Sequence, residues 1–191
     1  MKKRVSIHIG GLYASKGSVV IETTLGSCVA VCLFDPVERI GGMNHILLPG
    51  KADLKHFDTA ARYGINAMEL LINRIAALGG NRARIVAKAF GGAHILPAIS
   101  ENNGIGGKNT EFVLEFLLME GISLVGQDLG GHSTRKVCFH TDTGYVFLKT
   151  FPCASRPRVV GREMKQWNRV QSNAEKAGEI TLFAGNDGKN E

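Results

Sequence analysis

Ser18-Val19-Val20-Ile21-Glu22-Thr23-Thr24-Leu25-Gly26-Ser27-Cys28-Val29-Ala30-Val31-Cys32-Leu33-Phe34-Asp35-Pro36 is the stretch on which the fold turns. Residues 18–24 are rich in β-branched side chains, which suit a pleated, half-buried strand. The run breaks at Leu25-Gly26-Ser27, and residues 28–34 are almost wholly apolar, the mark of a buried central strand. Asp35-Pro36 is a turn signal, and residues 40–48 form a further extended segment closed by Pro49-Gly50. Upstream, Val5, Ile7 and Ile9 alternate with Ser6 and His8 until Gly10-Gly11, the period of another half-buried strand. The first fifty residues therefore predict a β meander.

Helical periodicity follows. Ala61, Ile65, Met68, Ile72 and Ile75 recur at spacings of four and three, with Asp58 as the predicted N-cap and Gly79-Gly80 as the stop. Residues 84–90 return to strand, and the polar, glycine-rich segment 100–107 reads as a loop able to line a site. A second helix is predicted with Asn109 as its cap and an apolar stripe of Phe112, Val113, Phe116 and Leu117, ending at Gly121. Three more strands are expected over 122–127, 135–140 and 145–151, the last two joined by a hairpin at Asp142-Thr143-Gly144. The class is α+β (mixed α/β), with both helices on one face of a mostly antiparallel sheet. A compact unit over 1–156 and a polar, partly flexible extension over 157–191 are expected.

The chain has 191 residues, 44% of them hydrophobic, enough for one domain with a real core. Neither the Met1-Lys2-Lys3-Arg4 start nor any later run resembles a secretion signal or the roughly 20 apolar residues of a membrane span, so a soluble, cytoplasmic protein without membrane insertion is expected. Four cysteines, Cys28, Cys32, Cys138 and Cys153, are too sparse for a disulfide scaffold and are expected as free thiols. The net charge of +6 favours acidic partners. The basic residues are dispersed, with small clusters at the N-terminus and around Arg156, Arg158 and Arg162, and aromatics make up 7%, so nucleic acid is not an expected partner.

Chemistry concentrates at the start of the apolar strand. A cysteine at a tight turn entering such a strand is presented at an element's edge, as a nucleophile must be. Gly26 tolerates unusual dihedrals and lets N–H groups around Ser27 and Cys28 converge on a developing oxyanion. A free cysteine with a pKa near 8.5 needs a base, and strands hairpinned around Asp35-Pro36 can bring His45 beside Cys28. The hydroxyl of Thr23 or of Thr24 can orient the distal imidazole nitrogen, and strand alternation turns only one of them to the site.

On the residues alone, a second reading stands beside this one: a cysteine in an apolar strand is a small core residue, as Cys32, Cys138 and Cys153 are expected to be. Zinc on Cys28, Cys32 and His45 is disfavoured, because Cys-x-x-x-Cys within a strand lacks the knuckle turn that brings two thiolates to one metal; no metal or other cofactor is expected. His8, His56, His94, His132 and His140 read as surface or satisfied histidines. Gly91-Gly92 and Gly130-Gly131 read as turns, since no Walker lysine or dinucleotide spacing accompanies them.

Five ordered segments make the chain resemble the CheD family of bacterial chemoreceptor glutamine deamidases: Leu25-Gly26-Ser27-Cys28-Val29, Met43-Asn44-His45-Ile46-Leu47-Leu48-Pro49, Phe90-Gly91-Gly92-Ala93, Ile105-Gly106 with Asn109, and Asp128-Leu129-Gly130-Gly131 before Arg135-Lys136-Val137. The resemblance spans roughly residues 5 to 151. It implies a three-layer α/β/α-type sandwich like that of deamidating toxins. It further implies hydrolysis of glutamines on methyl-accepting chemotaxis receptors, through a thioester, by a triad of Cys28, His45 and a threonine, with Thr23 favoured. A phosphatase of the CheC type, acting on phosphorylated CheY, is the implied partner, so a regulatory binding module is the rival function; a monomer or a heterodimer is expected. A thiol protease or a free-glutamine amidase is a third reading, and its small-molecule version is disfavoured because no charged pair that would anchor a free amino acid stands near the motif.

Overall fold

The computed structural model describes residues 2–95, 104–152 and 157–176, without the side chains of 174–176. Among these, nine strands and three α-helices follow one another: β1 (Lys3–Ser6), β2 (Leu12–Ser15), β3 (Val19–Leu25), β4 (Val29–Asp35), β5 (Ile40–Asn44), α1 (Thr59–Ala77), β6 (Val86–Gly91), α2 (Ile105–Met119), β7 (Ser123–Leu129), β8 (Ser133–His140), β9 (Val146–Pro152) and α3 (Pro157–Lys176). The strands form two sheets, ordered β1-β3-β8-β9 and β2-β5-β4-β6-β7. Pairing is antiparallel except for β1 with β3 and β6 with β7. The α+β class and the mostly antiparallel pairing agree with the sequence reading, and α1 and α2 are the two helices it predicts; α3 is a third.

The apolar run of β4 explains the stacking. Because side chains alternate across a strand, Val29, Val31 and Leu33 face α1 and α2, while Ala30 and Cys32, with Cys28 just ahead of the strand, face the other way, toward Ile21, Leu25, Val137 and Phe139 of the four-stranded sheet. A strand buried on both faces needs this unbroken apolarity. The three layers are thus the pair α1 and α2, the five-stranded sheet and the four-stranded sheet, with Met164 and Trp167 of α3 packed against the inter-sheet core.

Helix α1 starts as its sequence predicts, with the Asp58 carboxylate accepting a 2.7 Å hydrogen bond from Ala61 N–H. Gly64 lets the aromatic ring of Phe112 lie directly on α1, where a Cβ would overlap it. Helix α2 differs from expectation. It begins at Ile105 with Gly104 as its N-cap, so Asn109 is an interior, fully buried residue and not the cap. Of the predicted 100–107 loop, residues 100–103 lie outside the described residues, and 105–107 belong to the first turn of α2. Strand β2 has too short a run for periodicity to disclose. The extension expected beyond Pro157 is helical over Pro157–Lys176.

Candidate active site

The site forms where β3 leaves one sheet and β4 enters the other, through Gly26-Ser27-Cys28. All three carbonyls of this connection are tied from behind: Gly26 C=O accepts from Ala93 N–H at 2.8 Å, Ser27 C=O from Asn109 Nδ2 at 2.9 Å, and Cys28 C=O from Gly92 N–H at 2.8 Å. Because the peptides are trans, the held carbonyls of Gly26 and Ser27 turn the N–H groups of Ser27 and Cys28 to the opposite side. The Phe90-Gly91-Gly92-Ala93 segment can approach this closely only without side chains. Gly91 has φ of +111°, and a Cβ there would overlap the Cys28 carbonyl oxygen. Asn109 also accepts from Leu48 N–H at 2.8 Å, so it joins the Cys28 loop to the segment that follows His45.

His45 arrives from the partner strand. Cys32 opposes Met43 and Val29 opposes Ile46, so Cys28 and His45 are diagonal neighbours on one face of the β4–β5 hairpin. The His45 backbone is held by Gly10 and Gly11, with Gly10 N–H donating to His45 C=O at 2.8 Å and His45 N–H donating to Gly11 C=O at 3.0 Å. Its Nδ1 lies 2.8 Å from Thr23 Oγ1, and that hydroxyl donates its single proton to Ile7 C=O at 2.9 Å. Thr23 therefore accepts from Nδ1–H, which leaves Nε2 as the basic nitrogen. Nε2 is buried and has no hydrogen-bond partner among the described residues. Alternation along β3 turns Thr24 away from this contact.

A third group completes the cluster. Glu163, on α3, accepts at Oε1 from Gly26 N–H (2.7 Å) and at Oε2 from Ser27 N–H (2.6 Å) and Ser27 Oγ (2.8 Å). Ligand atoms of Cys28, His45 and Glu163 lie within 4.8 Å of one another. Cys28 is 0%, His45 4% and Glu163 4% exposed, so the thiol is sealed from solvent. Burial, and then the charge and hydrogen bond of Glu163, push the Cys28 thiol well above its ordinary pKa. Burial, with His8 adding to it, lowers His45 to about 3. The resting pair is thus neutral thiol and neutral imidazole. A cleft of about 600 Å³ runs between α3 and β1, β3 and β8 and reaches Thr23 and His45.

Comparison with known proteins bears on this arrangement. The family model described as CheD chemotactic sensory transduction matches residues 47–150. A protein of Vibrio vulnificus strain YJ016, named probable chemoreceptor glutamine deamidase CheD, is 41% identical over 187 residues, covering 94% of this chain and 86% of its own. The chain belongs to the CheD family. A Shewanella oneidensis relative named probable chemoreceptor glutamine deamidase CheD 1 is 41% identical over 184 residues, covering 95% of this chain and 88% of its own. One from Stenotrophomonas maltophilia strain K279a, with the Vibrio protein's name, is 46% identical over 168 residues, covering 87% and 82%. The region matched by the CheD model holds Gly91, Gly92, Asn109, Asp128 and Arg135 but starts beyond Cys28 and His45, which fall in the longer alignments.

The structure brings together Cys28, His45 and Thr23, with Gly26 and Ser27 beside them, and leaves out Cys32 and Cys138. Cys32 is a core residue as expected. Cys138 is not: it is half-buried beside Glu22 and Arg4, because its position on β8 faces away from the inter-sheet core. Cys153 lies outside the described residues. Gly26 acts differently from the expectation. Its φ is not in the left-handed region; its missing Cβ matters, since a Cβ would come within 2.7 Å of Glu163 Oε2. Sequence reasoning missed Glu163 and the bridging role of Asn109. Nothing local signals the former, whereas a buried asparagine on the apolar stripe of α2 was a legible oddity. The metal-type grouping here is Cys28, His45 and Glu163 instead of the Cys28, Cys32 and His45 weighed from sequence, and both Glu163 oxygens already accept hydrogen bonds. Among the described residues no helix is long and apolar enough to cross a membrane.

Proposed function

We propose that this protein is a hydrolase that converts glutamine side chains of chemoreceptors to glutamate and ammonia, with Cys28 as nucleophile, His45 as base and Thr23 as the residue orienting it. The observation that carries the proposal is the buried Nε2 of His45, without a hydrogen-bond partner among the described residues and beside the Cys28 thiol, while Thr23 holds Nδ1. The relatives' printed names supply the substrate class. Residues 1–156 are read as the catalytic unit, acting in the cytoplasm without a cofactor, and 157–191 as an extension to it.

Nε2 takes the thiol proton as Sγ attacks the amide carbon, and the negative charge on oxygen is received by the N–H groups of Gly26 and Ser27. Collapse expels ammonia, protonated by the imidazolium, and leaves a thioester. Water, deprotonated by Nε2, attacks the thioester carbon; the carbon–sulfur bond breaks, glutamate leaves and the thiol regains its proton. One water is consumed and one ammonia released per glutamine. A CheC-type phosphatase docking over the same site would bind independently of the thiol.

The test is peptide mass spectrometry of a chemoreceptor cytoplasmic fragment incubated with the wild-type chain and with Cys28→Ala. Gain of about 1 Da at defined glutamines with the wild type alone is the expected result. Equal gain with the variant would refute Cys28 as nucleophile; binding of a CheC-type protein with no gain from either would leave a docking module.

A further inference from the structure

The residue best placed to touch the reacting atoms, after the triad, is one the reaction does not require. Glu163 sits with its carboxylate on the N–H groups of Gly26 and Ser27, which in the proposed mechanism receive the oxyanion. A glutamate side chain is also the product of the proposed reaction. It is delivered by a helix, on a stripe whose other buried members are Val159 and Val170, with Met164 and Trp167 packed beside them. This stripe at spacings of four and seven is one face of α3.

From this we infer that α3 is a built-in product mimic: it occupies the place of a substrate helix, and Glu163 fills the oxyanion site and keeps the enzyme closed until α3 is displaced. The inference rests on the deamidase reading above. Three facts converge on it. Cys28 is entirely inaccessible with α3 in place, so no protein glutamine reaches it without movement. The carboxylate accepts three hydrogen bonds from Gly26 and Ser27 and also faces the Cys28 thiol, so it acts on the nucleophile and on the loop that carries it. The cleft between α3 and the four-stranded sheet leaves one flank of the helix unpacked, with Arg162, Lys165 and Arg169 of α3 lining it.

Glu163→Gln converts the mimic into a substrate. If residue 163 occupies the reacting position, Cys28 attacks the introduced amide, water completes the hydrolysis, and the chain gains about 1 Da at residue 163 as ammonia leaves. The same full-length chain carrying Cys28→Ala as well keeps its amide. Alongside, Glu163→Ala is expected to react with iodoacetamide at Cys28 at least about tenfold faster than wild type, with unchanged far-UV circular dichroism, because charge-assisted hydrogen bonds closing the loop are gone. Unchanged alkylation of Glu163→Ala would overturn the closed-state claim. A stable Glu163→Gln amide in a protein that still deamidates receptor fragments would overturn the product-mimic placement. Faster alkylation of Glu163→Ala, with neither receptor nor residue 163 deamidated, would keep the closed state and remove the deamidase reading instead.

Discussion

Replacing Asn109 by alanine removes a side chain that spans the two halves of the site. Its Oδ1 accepts from Leu48 N–H at 2.8 Å and its Nδ2 donates to Ser27 C=O at 2.9 Å, with the residue itself 0% exposed. Alanine leaves both backbone groups buried and unpaired, at about 1–3 kcal/mol each, so roughly 2–6 kcal/mol of stability is lost. For a chain of this size that corresponds to a melting temperature lower by about 5–20 °C. Urea unfolding at neutral pH measures it, with the slope unchanged if only the native state is affected. A freed Ser27 carbonyl also lets the connection rotate, so receptor deamidation should fall further than the folded fraction does. Asn109→Asp sharpens the test. It keeps an acceptor for Leu48 but faces Ser27 C=O with a carboxyl that must be protonated to donate, which raises its folded pKa. Stability is then greatest below the unfolded value near 3.9 and is lost as pH rises through the folded pKa, relative to wild type at each pH. Loss of under about 1 kcal/mol in Asn109→Ala would refute this account of how the loop is held.

Thr23→Val keeps the shape but removes the acceptor for His45 Nδ1–H, and should cut kcat by about 10- to 100-fold, while Thr23→Ser retains most activity; equal rates for the two variants would argue against an orienting hydroxyl. Gly91→Ala forces a side chain into a left-handed φ and onto the Cys28 carbonyl, and should destabilise the fold by more than about 2 kcal/mol in the same urea assay. His45, lowered to about 3 by burial, stays neutral in the fold while the unfolded chain binds a proton below about pH 6.5. Stability contributed by the neutral ring is therefore present above pH 6.5 and lost as pH falls from there toward 3, with a slope approaching about 1.4 kcal/mol per pH unit. Urea midpoints across that range should show this slope in wild type and its reduction in His45→Asn.

The closed arrangement also links the thiol's protonation to its accessibility. With α3 in place, burial and the Glu163 carboxylate both favour the protonated thiol. A neutral substrate amide in that position leaves the N–H groups of Gly26 and Ser27 to a developing oxyanion and removes the opposing charge. Displacement of α3 would therefore open and activate Cys28 in one movement.

Much of the chemistry was legible in local sequence because it depends on neighbours along the chain. The apolar run 28–34 requires a strand buried on both sides, and the turn at Asp35-Pro36 folds it back, so residues whose numbers sum near a constant become neighbours: Cys28 meets the His45 region by hairpin register alone. Alternation then allows one threonine of the 23–24 pair to face inward. What periodicity cannot carry is contact between distant elements. That the strands split into two stacked sheets, that Asn109 lies inside α2 and ties Ser27 to Leu48, and that the Gly91-Gly92 turn closes against Cys28 depend on packing across 60 or more residues. Glu163 is the extreme case. Its helix has a polar sequence with few apolar positions, and its carboxylate is buried only because the folded loop of Gly26 and Ser27 offers donors 136 and 137 residues away. A charge is buried where tertiary structure solvates it in place of water, and no property of the residues around Glu163 in the chain encodes that.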